Sequence, residues 1–162
     1  MLGIAARLGF SGAVLLVLAG CLGQTPAAKM QETARDLNMN ARFGRMELVV
    51  ENVHPTYREA FVQRHRTWGS QVRVADAELT GVRFTDKEAE STVAVAWYEV
   101  SRQELRATTL RQKWKNQRND WLLESEERVD GDVGLFGEPI PPAPKAAKTH
   151  ETAQFPTIRI GP

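Results

Sequence analysis

One cysteine is all the thiol chemistry this chain has, so Cys21 has no partner for an internal disulfide. Three histidines, His54, His65 and His150, are too scattered to build a metal-ligand spacing with it. No metal and no cofactor is expected. The glycine-rich loops that cradle phosphates are absent, since neither GxGxxG nor GxxxxGK[ST] occurs. GxSxG is absent too, which removes the strained nucleophile turn of an α/β-hydrolase. Charge of one sign is also lacking: 21 Lys and Arg stand against 20 Asp and Glu, a formal net charge of +1. A chain this balanced has no global field to gather nucleic acid. The apolar run over residues 9–20 falls short of the roughly 20 residues that a membrane-spanning helix needs.

What that run does have is the length of a signal-peptide core, with a single charge, Arg7, ahead of it. Small residues, Ala19 and Gly20, stand directly before the lone cysteine. Leu18-Ala19-Gly20-Cys21 resembles the lipobox of bacterial lipoproteins, whose cysteine is linked to diacylglycerol and becomes the mature N-terminus. The resemblance implies a signal peptide over residues 1–20, lipidation of Cys21 and a lipid anchor in a membrane of the cell envelope. Each buried methylene contributes about 0.8 kcal/mol, and two or more acyl chains hold a protein on a bilayer stably. Leu22 follows, where an Asp would resemble an inner-membrane retention signal, so the outer membrane facing the periplasm is the expected address. Without Arg7 the basic count falls from 21 to 20 and equals the acidic count.

Residues 21–29 read as a short lipidated tether, residues 30–130 as one folded domain, and residues 131–162 as a Pro-rich flexible tail. Met30, Ala34, Leu37 and Ala41 recur at helical spacing, and Phe43, Met46, Val50 and Val53 form a second such set. "HPTYREAFVQRHRTWG" predicts the third helix, with Pro55 in its first turn and Gly69 as its stop. Beyond Gly69 the period changes to two. "QVRVADAELTGVRF", "STVAVAWYEV", "LRATTLRQKW" and "WLLESEERV" predict four strands, the first with a bulge at Gly81. Short connections make the sheet an antiparallel meander.

Centring the last hairpin between Gln117 and Arg118 places Trp114 opposite Trp121, Arg111 opposite Glu124 and Thr109 opposite Glu126. Centring the one before it between Arg102 and Gln103 places Val95 opposite Leu110 and Trp97 opposite Thr108. One face then gathers Val93, Val95, Trp97, Leu110, Trp114, Trp121 and Leu123, while the other carries charge pairs. The basic run from Arg102 to Arg118 is read as pairing across strands with the acids after Asp120 rather than as a nucleic-acid surface. "FPTIRIGP" at the end could dock on a sheet edge or on a partner.

The fold class is thus α+β, N-terminal helices packed on a curved four-stranded antiparallel meander. That order, with long strands and tryptophans near the final hairpin, resembles the nuclear transport factor 2-like (SnoaL-like, cystatin-related) cone. The resemblance implies either a small isomerase or dehydratase with an acid or histidine in the cone, or a non-catalytic envelope module.

His65 shares a helical face with Tyr57, Phe61 and Trp68. At an apolar cavity it would serve as a general base, with Asp36 or Asp76 as the partner carboxylate. The alternative is a core histidine with one hydrogen bond. Trp68, Trp97, Trp114 and Trp121 read as core or as the wall of a pocket for an apolar, lipid-like ligand. The leading expectation is a non-catalytic binding or assembly module, held to the membrane through Cys21 and contacting another envelope protein. The carrier of a small apolar ligand comes second, and an isomerase or hydrolyase using His65 third.

Overall fold

The computed structural model of the protein describes residues 25–141. Cys21, the expected signal peptide and the tail from residue 142 onward lie outside the described residues. No helix among the described residues is long and apolar enough to cross a membrane.

Helix α1, Pro26–Arg42, begins four residues ahead of the domain start expected at Met30, inside the stretch read as a tether. Thr25 caps it, its side-chain oxygen accepting from the Ala28 N–H at 3.2 Å, and Pro26 occupies the first turn, where no N–H is needed. Met30, Ala34, Leu37 and Ala41 are buried, as their spacing predicts. The same face also buries Asn38. Gly44, at φ +70°, ends the run.

The second predicted helix shrinks to one α turn, α2 (Met46–Val49), extended by a 3₁₀ turn over Val50–Asn52. Val49 and Val53 are its buried residues, whereas Phe43 is 59% exposed with Arg42 and Arg45 over its ring. The third helix is regular only over α3, Arg58–Arg64, with His65 as its C-cap. Residues 55–57 form the turn that leads into it.

The sheet is the expected meander, β1 (Val72–Phe84), β2 (Glu88–Glu99), β3 (Arg106–Gln117) and β4 (Asp120–Gly131), in the order β1-β2-β3-β4. A bulge falls between Leu79 and Gly81, as expected, and a second between Val74 and Asp76. Both expected hairpin centres are displaced by one residue. Trp114 lies opposite Leu123, Arg111 opposite Glu127 and Thr109 opposite Asp130; Val95 lies opposite Thr108 and Trp97 opposite Arg106. The β3–β4 connection is a tight two-residue turn, Arg118-Asn119, with φ of +53° and +71° at its two positions. Near each turn the one-residue displacement of the centre moves a partner by two, so the faces survive there, while the register shifts farther along β3–β4 move the partners of Arg111 and Thr109 by three and four. Val93, Val95, Trp97, Leu110, Trp114, Trp121 and Leu123 all point inward and are at most 2% exposed. On the outer face Arg111 contacts Glu127 at 3.2 Å and Glu90 at 3.6 Å, and Lys115 contacts Glu124 at 3.7 Å.

Two clusters fill the interior. One packs α1, Val49, Val53 and Phe61 against Trp114, Trp121 and Leu123. The other joins Val72, Val93, Val95, Trp97 and Leu110 to Leu135, which is fully buried. Packing therefore continues past the boundary expected at residue 130. Leu135 accepts a hydrogen bond on its carbonyl from the Trp68 indole N–H at 2.8 Å, and Ile140 packs on the same cluster. The apolar triplet Gly134-Leu135-Phe136 is too short to show a period, so composition alone assigned it to the tail.

The two ends of the sheet differ. At one end lie the β3–β4 turn and the start of α1, joined by a Lys29–Asp120 ion pair at 3.0 Å and by the Trp121 indole N–H donating to the Pro26 carbonyl at 3.2 Å. At the other end Arg42 meets Asp76 at 2.9 Å, and residues 133–141 fold over Trp68.

Candidate functional site

A buried polar network occupies the middle of the interior. It starts from the least expected inward residue, Glu126. Alternation from Trp121 and Leu123 would turn Ser125 and Glu127 inward. A bulge intervenes: Trp114 pairs with Leu123 but Lys113 pairs with Ser125, so Glu124 is the extra residue. Beyond it the alternation is inverted, and Glu126 faces the core.

There Glu126 meets His65. His65 Nε2 lies 3.0 Å from Glu126 Oε1, with side chains 1% and 2% exposed. His65 Nδ1 lies 2.8 Å from the Phe61 carbonyl oxygen. A carbonyl only accepts, so Nδ1 carries a proton. One further proton lies between Nε2 and Oε1. Burial pushes the Glu126 carboxyl up, but the charge of His65, the contacts from His65 and Gln112 and the charge of Arg64 outweigh it and hold the group below its ordinary value. Glu126 is thus a carboxylate and His65 an imidazolium, a buried ion pair. For Tyr57, burial and then the Glu126 charge raise the hydroxyl above its ordinary value. The Tyr57 oxygen accepts from the Glu126 backbone N–H at 3.2 Å.

The second carboxylate oxygen is held by amides. Gln112 Nε2 donates to Glu126 Oε2 at 2.8 Å and to Asn38 Oδ1 at 2.9 Å. Asn38 Nδ2 donates back to Gln112 Oε1 at 3.1 Å and to the Ala34 carbonyl at 2.7 Å. Ser91 Oγ donates to Gln112 Oε1 at 3.1 Å and accepts from the Trp114 indole N–H at 2.8 Å. Donors run from Trp114 through Ser91 and Gln112 to the carboxylate. Such a network is stable in low dielectric because its members satisfy one another.

Aromatic rings enclose the imidazolium. Phe61 stacks on it at 3.9 Å between centroids, and Trp68 and Phe136 meet it edge-on at 4.5 and 5.2 Å. The guanidinium of Arg64 covers Phe136 at 3.8 Å.

The catalytic group expected from sequence is therefore not assembled. His65 is sealed, Asp36 is exposed, and the Asp76 carboxylate, also exposed, is engaged by Arg42. The partner of His65 is Glu126, which alternation hid. Its only advance signal was a run of four acids within Glu124–Asp130, too many for one face to absorb. The tryptophan wall is not open either. Trp97, Trp114 and Trp121 are at most 1% exposed, and Trp68 is half-buried. All four indole N–H groups have internal acceptors, Trp97 donating to Thr108 Oγ1 at 2.8 Å. A surface groove of about 470 Å³ lies between Arg83, Phe84, Glu88, Ala89, Lys113 and Trp114. Among the described residues no cluster of His, Cys, Asp and Glu could hold a metal ion.

The sequence matches no known family profile, and no curated protein matches it. Solved structures do resemble the fold. A SEC-C motif-containing protein of Rhodopseudomonas palustris superposes at a TM-score of 0.56 with 16% identity, over 64% of this chain and 81% of that one. A domain from Exiguobacterium sibiricum, described as a calcium/calmodulin-dependent kinase II association domain, superposes at 0.52 with 8% identity, over 63% and 92%. A protein with a cystatin-like fold from Nostoc punctiforme superposes at 0.49 with 11% identity, over 66% and 91%. Identities this low speak for a shared α+β fold alone.

Proposed function

We propose that this chain is an envelope lipoprotein whose domain, a nuclear transport factor 2-like cone, acts as a non-catalytic binding or assembly module. The carrying observation is a full interior: the polar groups a catalytic cone would turn to a substrate are bonded to one another here. A sealed His65 offers no ring nitrogen to a reactant, and buried tryptophans offer no wall to a lipid. What remains for recognition is the surface and the chain beyond residue 141.

The sequence Leu18-Ala19-Gly20-Cys21 supports the anchor, and the short link supports the placement. Thr25, the cap of α1, comes four residues after Cys21, a reach of at most about 14 Å. The β3–β4 turn would then sit at the headgroups, and the strap over Trp68 would face away from the membrane. Leu22 in place of Asp supports the outer membrane.

Metabolic labelling with palmitate tests the anchor: wild type is expected to be labelled and Cys21→Ser unlabelled, and equal labelling would overturn it. Cross-linking in cells tests the module: an envelope protein captured by the full chain is expected to be lost on deleting residues 139–162. Native mass spectrometry addresses the carrier alternative, which gains if a lipid-like ligand stays bound to the Cys21→Ser protein.

A further inference from the structure

Residues 133–141 follow β4 with no regular element of their own, yet they close the pocket around His65. Few bonds hold them. Trp68 Nε1 donates to the Leu135 carbonyl, Leu135 is buried, and Ile140 packs beside Trp97. Glu138 turns its carboxylate onto the segment's own backbone, accepting from Gly134 N at 3.2 Å and Phe136 N at 2.9 Å, which keeps the loop compact.

What lies beneath is poorly satisfied. Two buried side-chain atoms have no hydrogen-bond partner among the described residues, Arg64 Nε and Thr67 Oγ1, and Glu126 Oε1 has only His65 Nε2. The first two lie against this segment, the Arg64 guanidinium over Phe136 and Thr67 facing the backbone of Gly137, while Glu126 pairs with the ring that Phe136 meets edge-on. Buried polar atoms without partners are rare in folded proteins and need a reason. Here each would gain water if the segment lifted.

We propose that residues 133–141 are a strap latched by the His65–Glu126 pair, and that acid, by neutralising Glu126, lifts the strap while the sheet and helices stay folded. The balance of charge gives the direction. The groups facing the pair are Arg64 and Tyr57 from the α3 side, Gln112 from β3, Asn38 from α1, and Phe136 with the self-engaged Glu138 from the strap. With Glu126 charged, one carboxylate offsets the two cations beside it. With Glu126 neutral, the His65 imidazolium and the Arg64 guanidinium are left in an aromatic box with no anion. Helices and strands cannot move aside without breaking backbone ladders, whereas the strap can. Lifting it hydrates His65, Arg64 and Thr67 and exposes the faces of Phe61 and Trp68 to solvent.

The Trp68 indole N–H reports the strap directly. Hydrogen exchange of the four indole N–H groups is measured by NMR in the full chain in detergent micelles, at neutral and acid pH, corrected for intrinsic rates. In wild type, Trp68 protection is expected to fall tenfold or more in acid while Trp97 and Trp114 stay protected. Glu126→Gln is expected to show the acid pattern at neutral pH and to lose the pH response. If Glu126→Gln does not fold, Phe136→Ala serves: Trp68 is expected to be unprotected at every pH, with Trp97 and Trp114 unchanged. Loss of all four signals together, a pH response surviving in Glu126→Gln, or full Trp68 protection in Phe136→Ala would each overturn the latch.

Discussion

At the scale of single residues, Glu126 and His65 carry opposite charges into a site otherwise lined by rings, and each is tolerable only because of the other. Removing one partner of such a pair typically costs about 3–5 kcal/mol, whereas replacing both by apolar groups can be neutral or stabilising. His65→Leu is therefore expected to lose about 3–5 kcal/mol in urea unfolding, and His65→Leu with Glu126→Leu to recover most of that loss. The sign of the pH dependence follows from Glu126. Its folded value lies below the ordinary 4.5, so its contribution is complete above that pH and is lost as pH falls toward the folded value. The wild-type urea midpoint is expected to drop on acidification below about 4.5, and the double variant to show a flatter profile over the same range. His65 itself was visible in the sequence, because Tyr57, Phe61 and Trp68 share its helical face. Its role was not, because the general-base reading paired it with Asp36 and Asp76, both exposed.

Elements explain why. β4 alternates through Trp121 and Leu123 and then changes parity at Glu124, and a bulge has no marker in a strand without glycine or proline there. By contrast the Gly81 bulge in β1 was legible from the shift in apolar parity. Helix α1 was legible for its buried face but not for its start, since Thr25 and Pro26 lay in the stretch read as a tether; α2 was not legible, because its apolar spacing fits an α-helix but the chain tightens into a 3₁₀ turn so that Val53 can bridge to Leu123. Turns are the next test at this scale. Arg118 and Asn119 both hold positive φ, which suits Asn-Gly better. Arg118→Asn with Asn119→Gly is expected to add about 0.5–2 kcal/mol, read as a rise in Tm. Gly131 is the opposite case. At φ +84° its Cβ would sit on the Ala107 carbonyl, so Gly131→Ala is expected to lower the Tm by several degrees.

For the whole molecule, element order and apolar periodicity sufficed to read the fold class, since a meander needs only short turns and consistent faces. The extent of the domain was not legible, because Leu135 and Phe136 sit in a stretch whose composition matches a tail. A chain ending at residue 132 is expected to be less stable than one ending at 141 by at least the roughly 1.5–3 kcal/mol that burying a leucine contributes, measured by urea unfolding.

The Asn38–Gln112 amide pair has a kinetic consequence. Its members are 74 residues apart, and Gln112 is oriented by Ser91 and Glu126 from within the sheet. The pair can therefore close only after the meander exists and α1 has docked on it. Contacts that form after the rate-limiting barrier govern how fast a protein comes apart, not how fast it assembles. Stopped-flow measurements on Asn38→Ala are expected to show faster unfolding with refolding nearly unchanged. Helix α1 would be the last piece to arrive and the first to leave, so the described domain would begin to come apart at its N-terminal helix.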